Sequence, residues 1–240
     1  MAGRGASAPP SGEADSSFLA ALDDEQREAL LAAGRRRAFR PPAALVHQGE
    51  DSDHVFLVRS GWVKVVSTTP AGHTVTLAVR GPGDILGESA ALSGRLRSAT
   101  VIALTPVDTL VVPASRFAEI LDTHPMIWRV LSGTLARRLD DANGRVRAQA
   151  TLRGEQCLAL LLVHLAELSA REAPPNPDGS IDIAPPLSQT DLGSWLSLSR
   201  ETVARGLLRL RRNGLVRTGW RRITVTDLDA LLAFATTPLD

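Results

Sequence analysis

The sequence is poor in residues that build covalent crosslinks or metal clusters. Among its 240 residues it has one cysteine, Cys157, and five histidines that lack the spacing of metal ligands. One cysteine excludes a disulfide framework and a four-cysteine iron–sulfur cluster. Because Cys157 lies in an apolar run, we expect it to be an inert buried thiol. The sequence therefore predicts no metal site, with a histidine-ligated haem as the alternative.

The chain also lacks a long apolar segment. Its most apolar stretch, residues 157–168, includes His164 and Glu167 and is too short and too polar to span a bilayer. The N-terminal residues contain no apolar core of signal-peptide length. We therefore expect a cytoplasmic protein without a membrane partner. The remaining composition, 44% hydrophobic and 22% charged, is typical of one or two globular domains.

Lysine is almost absent, and the arginines are unevenly distributed. Only Lys64 is a lysine among 27 basic residues. Residues 199–222 contain eight arginines and a single acid, Glu201, so this segment carries a net charge of +7 in a chain whose total is +1. A local excess of this size favours a polyanion as the partner. The alternative is a solvated helix face in an arginine-rich chain.

The first half of the chain changes its pattern twice. Residues 1–16 are rich in glycine, alanine, serine and proline and are expected to form a disordered tail. Residues 17–34 are predicted to be helical, with Asp23 as the N-cap of a second short helix and Gly34 as a stop. Over residues 35–113, short β-branched segments alternate with turn residues, which predicts an antiparallel β-barrel or sandwich. These segments are residues 54–58, 62–66, 74–79, 100–104 and 108–112.

Helical periodicity returns after this region. Residues 114–124 predict a short helix that ends before Pro125, and residues 126–152 predict a long helix. Apolar side chains recur along the long helix at three- and four-residue steps, which is typical of helix pairing. We expect dimerisation through this seam, with packing on the β domain as the alternative. The seam consists of Trp128, Leu131, Leu135, Leu139, Ala142 and Val146.

The C-terminal part has the pattern of a winged helix-turn-helix. A helix over residues 153–170 and a proline-rich loop over residues 171–186 precede two short helices. Ser188 and Ser199 are placed to cap these two helices, and Gly214 closes the second. A hairpin then follows, with its turn at Thr218, Gly219 and Trp220.

The first motif with a chemical role is the glycine-rich stretch of residues 81–101. Its glycines allow a ligand to approach the backbone closely, and a short helix that begins near Glu88 would direct free N–H groups at an anion. Arg97 suits bidentate phosphate binding, and the Glu88 carboxylate suits a sugar hydroxyl. The motif predicts a pocket for a cyclic ribose phosphate. The alternative is an internal Glu88–Arg97 ion pair that braces a loop.

The second motif is the start of the second short helix. Ser199, Arg200, Glu201 and Thr202 open this helix, and Arg205 lies about one turn further on. In a helix-turn-helix, the first residues of the second helix meet base edges in the major groove. Arginine there can pair with guanine, and glutamate can accept from cytosine. This pattern predicts sequence-specific DNA binding. The competing interpretation takes Ser199 and Glu201 as capping residues only.

The sequence offers no catalytic arrangement. Ser89 lacks the setting of a nucleophile elbow, and Cys157 lies in an apolar run. The glycines of residues 81–101 do not match a dinucleotide-binding or Walker fingerprint. We therefore expect a binding protein without catalytic residues.

The two motifs and the long helix between them resemble the Crp/Fnr superfamily of bacterial transcription regulators, over about residues 17–225. The resemblance implies an α+β protein in three parts after the tail. It has a cyclic-nucleotide-binding-type antiparallel β-barrel of jelly-roll type (residues 17–124), a dimerisation helix (125–150) and a winged helix-turn-helix domain (151–240). It also implies a homodimer that binds double-stranded DNA and, through the proline-rich loop, RNA polymerase.

The resemblance assigns roles to the residues of both motifs. Residues 199–205 are similar to the recognition helix of the catabolite activator group, which reads TGTGA-like half-sites. By that match Arg200 and Arg205 contact guanine-bearing base pairs, Glu201 takes a cytosine edge and Thr202 holds phosphate, after the Ser199 cap.

In the β domain, residues 83–101 are similar to the phosphate-binding cassette of the family. The resemblance implies that Glu88, next to Gly87, binds the ribose, and that Arg97 with Ser98 binds the cyclic phosphate of cyclic AMP or cyclic GMP as effector.

Three positions depart from the family pattern. Ala142 and Asn143 stand where cyclic AMP-responsive members have threonine and serine that reach the adenine. Asn143 could still read a purine edge, across the dimer, but Ala142 could not. The same DNA-binding regulator with a degenerate pocket, which acts without ligand or with another small molecule, is therefore the alternative function. Ser197 replaces a turn glycine and must accept a strained or adjusted turn.

Overall fold

The computed structural model describes residues 17–237, so the tail expected at residues 1–16 lies outside the described part. The first half forms two four-stranded antiparallel sheets, with strand orders β1-β8-β3-β6 and β2-β7-β4-β5. The sheets are separate and have a jelly-roll-like arrangement, so the predicted fold class is confirmed although the barrel is not closed. The strands are β1 (Arg35–Phe39), β2 (Ala44–Val46), β3 (His54–Ser60), β4 (Val63–Thr68), β5 (Thr74–Arg80), β6 (Ile85–Leu86), β7 (Thr100–Ala103) and β8 (Val107–Pro113).

All five predicted segments form strands, and β1, β2 and β6 were not predicted. The central strand β3 is buried on both of its faces. Val55 and Leu57 face a core shared with the surrounding helices, whereas Phe56 and Val58 face a second core. Successive side chains of a strand point to opposite faces, so β3 connects the two cores.

Four helices accompany the two sheets in the first part of the chain. They are α1 (Asp24–Ala32), α2 (Glu88–Ser93), α3 (Ala114–Thr123) and α4 (Pro125–Thr151). The second short helix predicted to follow Asp23 is confirmed as α1, which Asp23 caps with a full capping box, whereas residues 18–21 before it form turns and no helix.

The long helix α4 divides the predicted seam between two environments. Leu131 is buried in the core of the β sandwich and Leu135 packs against that core, as the alternative interpretation of the seam predicted. By contrast, Trp128, Leu139 and Val146 are 47%, 61% and 65% exposed. The part of the seam that remains open to a partner is therefore this exposed set.

The second half of the chain forms a three-stranded sheet and four helices. Its helices are α5 (Gly154–Ala170), α6 (Gln189–Leu196), α7 (Arg200–Arg212) and α8 (Leu228–Thr236), and its strands are β9 (Ile181–Asp182), β10 (Val216–Gly219) and β11 (Arg222–Val225). The apolar helix α5 supplies the centre of the core, onto which Trp195, Val203 and Leu207 pack. Cys157 is buried there, and burial raises the pKa of its thiol, which agrees with the expected inert thiol.

Three details differ from the prediction. The proline-rich loop contains β9, which pairs with β11; two residues are too few for a sequence signal. The hairpin turn consists of Trp220 and Arg221, because Gly219 still pairs with Arg222. Helix α8 was not predicted. None of the helices within residues 17–237 is long and apolar enough to cross a membrane.

Candidate functional site

A cavity of about 240 Å³ lies between β4, β5, the glycine-rich stretch and α4. Four of the predicted ligand-binding residues line it: Gly87, Glu88, Arg97 and Ser98. Asn143 does not line this cavity and is exposed on α4. The structure therefore brings the whole predicted phosphate-binding motif together in one place, with Asn143 apart from it.

Arg97 is buried and held by backbone carbonyl groups. Its Nη1 donates to the carbonyl oxygen of Gly87 at 3.1 Å and its Nη2 to that of His54 at 2.6 Å. Its Nε is buried without a hydrogen-bond partner among the described residues, and burial lowers the pKa of the guanidinium. Arg97 therefore retains an unused buried donor, although Nη1 and Nη2 are engaged.

Gly87 is required beside this guanidinium. Its φ angle is +80°, and a Cβ atom on Gly87 would lie 2.1 Å from Nη1 of Arg97. A larger side chain would therefore strain the left-handed backbone and displace the guanidinium of Arg97. Gly87 is also the residue before α2, so it places Glu88 at the first position of that helix.

Glu88 is paired with the long helix and not with Arg97. Its Oε1 accepts from Nη1 of Arg138 at 2.7 Å, and Nη2 of Arg138 donates to the carbonyl oxygen of Ile85 at 2.8 Å. Glu88 and Arg97 therefore do not form the ion pair that the alternative interpretation predicted. Instead, the predicted ribose-binding carboxylate is anchored to α4.

Three further arginines that were not predicted from the sequence also line the cavity: Arg80, Arg138 and Arg145. Burial, reinforced by the nearby charge of Arg138, lowers the pKa of Arg80 to about 10. A signal for Arg138 was present, since it continues the buried face of Leu131 and Thr134 at helical spacing. Glu88 is the only acid among the described residues that line the cavity, so the cavity is electrostatically suited to an anion.

The second half of the chain docks on the outer side of the same two strands. Lys64 Nζ of β4 pairs with Oδ1 of Asp191 at 2.5 Å. Ser194 Oγ donates to the carbonyl oxygen of Thr74 at 2.8 Å and accepts from the backbone N–H of Thr76 at 3.0 Å. Burial alone would raise the pKa of Asp191, but hydrogen bonds from Lys64 and Ser188 outweigh it and lower that pKa. Strands β4 and β5 therefore connect the cavity to α6.

The N-cap and the first two turns of α7 carry the predicted DNA-binding residues. Arg200, Glu201 and Arg205 are exposed on α7, whereas Val203 and Leu207 are buried on its other side. Apolar residues at helical spacing thus fix which face of α7 points outward.

Capping explains only the first of these residues. Ser199 Oγ accepts from the backbone N–H of Thr202 at 3.1 Å and lies 2.9 Å from its hydroxyl. The Glu201 side chain makes no hydrogen bond or ion pair with any residue within 17–237. The capping interpretation therefore holds for Ser199 and not for Glu201.

The connection between α6 and α7 is tight. Ser197 has φ 58° and ψ 36°. This is the left-handed conformation expected at a position where Ser197 replaces a turn glycine. A Cβ atom on Gly193 would lie 2.5 Å from the carbonyl oxygen of Leu198. Gly193 therefore permits the close approach of the two helices, and Ser197 bears the backbone strain.

The arginines of residues 199–222 fall into two groups. Three are paired with acids: Arg209 with Glu155 at 2.7 Å, Arg217 with Asp178 at 3.2 Å and Arg222 with Asp182 at 2.6 Å. The other five make no ion pair with any residue that the structure describes. These unpaired arginines are Arg200, Arg205, Arg211, Arg212 and Arg221.

The described residues contain no group of three or more histidine, cysteine, aspartate or glutamate side chains that could hold a metal ion. His164 lies on α5 and is partly buried, and this burial lowers the pKa of its imidazole to about 4. It faces the ring of Trp195, with the ring centroids 6.4 Å apart.

Two family models match the chain. Residues 36–124 match the cyclic nucleotide-binding domain, and residues 156–234 match the Crp-like helix-turn-helix domain. The chain is 29% identical to the cAMP-activated global transcriptional regulator CRP of Pasteurella multocida over 184 residues, which are 76% of this chain and 86% of the relative. It is 26% identical to the transcriptional activator protein FnrA of Stutzerimonas stutzeri over 86% of this chain and 82% of the relative.

Solved structures are similar along most of the chain. FixK2 from Bradyrhizobium japonicum superposes with a TM-score of 0.72 at 21% identity and covers 86% of this chain and 99% of its own. A CRP-family transcriptional regulator from Thermus thermophilus superposes with a TM-score of 0.67 at 28% identity, over 85% of this chain and 98% of its own.

Proposed function

Because the chain belongs to the Crp/Fnr family of transcription regulators, we propose that it acts as a cytoplasmic homodimer that binds palindromic DNA under the control of a cyclic nucleotide. Proteins of this family regulate transcription and are not enzymes. The observation that carries the proposal is the arginine-lined cavity that holds both Glu88 and Arg97. It is connected through β4, β5 and α6 to α7, whose predicted base-reading side chains are exposed and form no ion pair with a described residue.

The cavity suits a cyclic nucleotide for electrostatic reasons. A cyclic phosphate is an anion, and burying it requires a paired, hydrogen-bonded cation. Arg97 is already buried and keeps a free Nε donor, and Ser98 lies beside it in the lining. The ribose hydroxyl would bond to Glu88, where it competes with Arg138 of α4. Ligand binding would thus loosen or shift the anchor of the long helix.

The exposed face of α7 suits base recognition. Arg200 and Arg205 would contact guanine-bearing pairs of a TGTGA-like half-site, Glu201 would accept from cytosine and Thr202 would hold phosphate. A glutamate in the middle of a basic surface weakens non-specific binding, so its exposure without a partner supports sequence reading.

Dimerisation would use the exposed part of the α4 seam. Leu139→Asp should give monomers that no longer protect a palindrome. The change should leave the fold intact, because this side chain is 61% exposed and is not part of the hydrophobic core of its own protomer. Light scattering would measure the mass, with Arg147→Asp, an exposed change outside the seam, as the control. A dimer that survives Leu139→Asp would reject this interface. Leu135 is a poorer test because it packs against the β sandwich.

In such a dimer the two recognition helices would lie about 34 Å apart, one DNA turn. Asn143, exposed on α4, would then be placed to reach the partner's cavity.

Calorimetry with cyclic AMP and cyclic GMP, followed by selection of binding sites from random DNA, tests the proposal. We expect one of the two nucleotides to bind, a deoxyribose analogue to bind more weakly, and an inverted repeat to be selected. Selection of asymmetric single half-sites would contradict the dimeric arrangement. Selection of no sequence at all would contradict the DNA-binding proposal.

The alternative is a regulator of the same DNA-binding type whose cavity takes another small anion or no ligand. Ala142 supports it, because this side chain cannot hydrogen-bond a base. Sequence-specific DNA binding together with no heat of binding for either nucleotide would favour this alternative.

We also propose RNA polymerase as a partner of the loop over residues 171–186. Asp178 and Asp182 of this loop are tied to Arg217 and Arg222 of the hairpin, which gives the loop a defined shape. A variant with the loop replaced should bind DNA and fail to alter transcription. Unchanged transcription would reject this contact.

A further inference from the structure

The tip of the β10–β11 hairpin carries a tryptophan that is almost fully open to solvent. Trp220 is 89% exposed, the highest value among the exposed large apolar side chains. The next residue, Arg221, has φ +50° and its guanidinium carbon lies 5.9 Å from the centroid of the Trp220 ring. An exposed indole and a strained non-glycine backbone both cost stability. The tip is therefore arranged for contact with something outside the chain.

A groove of about 350 Å³ separates this tip from the helix-turn-helix. Arg200 lies on its helix side, and Arg221 and Arg222 lie on its hairpin side. Among the described residues that line it, none is acidic. A groove with cations on both walls suits a chain of phosphates, and duplex DNA is the polyanion that the proposed function brings to this surface.

The groove also fixes where the hairpin tip would lie on the duplex. One phosphate backbone separates a major groove from the neighbouring minor groove. If α7 occupies the major groove and that backbone runs between Arg200 and Arg221, the tip lies beyond it, on the minor groove.

We propose that Trp220 and Arg221 enter the minor groove that flanks the half-site, and that they make this flank part of the recognised sequence. The inference rests on the proposed DNA-binding function. The indole packs on deoxyribose at the groove wall, and the Arg221 guanidinium occupies the groove. Narrow A·T-rich minor grooves have the more negative potential and attract arginine, so flanks rich in A·T should bind more tightly.

The test uses the full-length protein and three duplexes that share one selected palindrome. Their flanks are A·T, G·C or inosine·cytosine pairs. Inosine lacks the N2 amino group of guanine, so an inosine·cytosine pair resembles G·C in the major groove and A·T in the minor groove. We expect the wild type to bind the A·T and inosine flanks about equally, and about fivefold more tightly than the G·C flank.

Trp220→Ala and Arg221→Ala should each reduce this discrimination to below about twofold and keep the preference for the palindrome over random DNA. Arg211→Ala, an exposed and unpaired arginine at the other end of α7, is the matched control for charge. It should weaken binding to all three duplexes equally. Thermal unfolding of the variants checks that these exposed substitutions leave the fold intact.

Fluorescence gives a second readout. The emission lost in Trp220→Phe isolates the signal of Trp220, and DNA should shield this signal from acrylamide. Equal binding to the three flanks, an inosine flank that behaves like G·C, or an unshielded Trp220 would each overturn the wing contact while the palindrome is still bound. A wild type without sequence preference would instead reject the proposed function.

Discussion

The arginines of the cavity and the arginines of helix α7 are held in opposite ways. Arg97 and Arg138 are committed before any ligand arrives, to carbonyl oxygens and to Glu88. Arg200 and Arg205 on α7 are exposed, and they pair with no acid of the described chain. The same residue type thus holds the structure together in one region and stays available in the other.

This difference separates two kinds of binding. A ligand in the cavity must exchange existing contacts for new ones, so its binding can move the elements that supply those contacts. The arginines that would contact DNA form no ion pairs with acidic side chains, so DNA binding does not require such pairs to break. DNA binding therefore depends on the positions of the two recognition helices. A ligand shifts that position only to the extent that it binds one arrangement more tightly than the other.

The largest effect on DNA affinity is expected for the free side chains of α7. Arg200→Ala or Glu201→Ala should cost about 1–3 kcal/mol of binding free energy per half-site and relax specificity at one base pair. Because both side chains are exposed and unpaired, the free energy of unfolding should change by less than about 0.5 kcal/mol. Fluorescence anisotropy with matched and mismatched duplexes measures the first quantity, and urea titration measures the second.

Arg212→Ala, exposed near the end of α7, is the control for charge alone. It should weaken binding to all sequences to a similar degree. A loss at Arg200 that is equal on specific and random DNA would show that Arg200 contacts phosphate and does not read bases.

Arg97, whose guanidinium already donates to backbone carbonyl groups, should show the reverse pattern, with a clear effect on the free energy of unfolding. Arg97→Leu removes charged donors from two carbonyl oxygens near a buried cavity, so the free energy of unfolding should fall by about 2–4 kcal/mol. It should also abolish nucleotide binding. Urea titration and calorimetry measure these two effects. If Arg97→Leu leaves stability unchanged, the cavity arginine is as free as those of α7 and the comparison fails.

A partly buried histidine of α5, His164, gives a pH test. Burial lowers the pKa of His164 to about 4, reinforced by the charges of Arg80 and Arg145 and opposed by Asp141. The unfolded chain binds this proton near pH 6.5, so between pH 6.5 and 4 the unfolded state takes up more protons than the folded state. Stability should therefore fall as the pH drops, by about 2 kcal/mol at pH 5 relative to pH 7.5.

Urea titrations of the wild type and His164→Gln at these two pH values measure the effect. The variant should lose most of the difference. An equal pH dependence in both proteins would assign it to other groups.

The smallest effect is expected at the turn between the helices of the DNA-binding unit. Ser197 adopts φ 58°, which glycine adopts without strain. Ser197→Gly should stabilise the protein by at most about 1 kcal/mol, because relief of strain is partly offset by the greater entropy of glycine in the unfolded chain. Thermal unfolding would show a rise of about 2–4 °C. A lower melting temperature would mean that the turn is not strained.

Local patterns predicted most of the elements. The β-branched segments became strands, and Asp23, Ser188 and Ser199 cap the helices as expected. The missed strands β1, β2, β6 and β9 are short or rich in arginine, and pairing across the fold decides whether such segments are extended.

The candidate site divides in the same way. Glu88 and Arg97 belong to one motif, so sequence reasoning could predict that they share a cavity. Arg80 and Arg138 reach the same cavity from distant elements, and the Lys64–Asp191 pair joins residues 127 positions apart. No local pattern reports such contacts, because they depend on how the sheets, α4 and the DNA-binding unit pack together.

Ligand control of DNA binding is tested most directly by the affinity of the full-length protein for its selected palindrome, measured by anisotropy with and without saturating cyclic AMP or cyclic GMP. We expect one of the nucleotides to change this affinity at least about tenfold, a coupling of about 1.4 kcal/mol, and Arg97→Leu to show no response. An affinity of the wild type that both nucleotides leave unchanged would contradict ligand control.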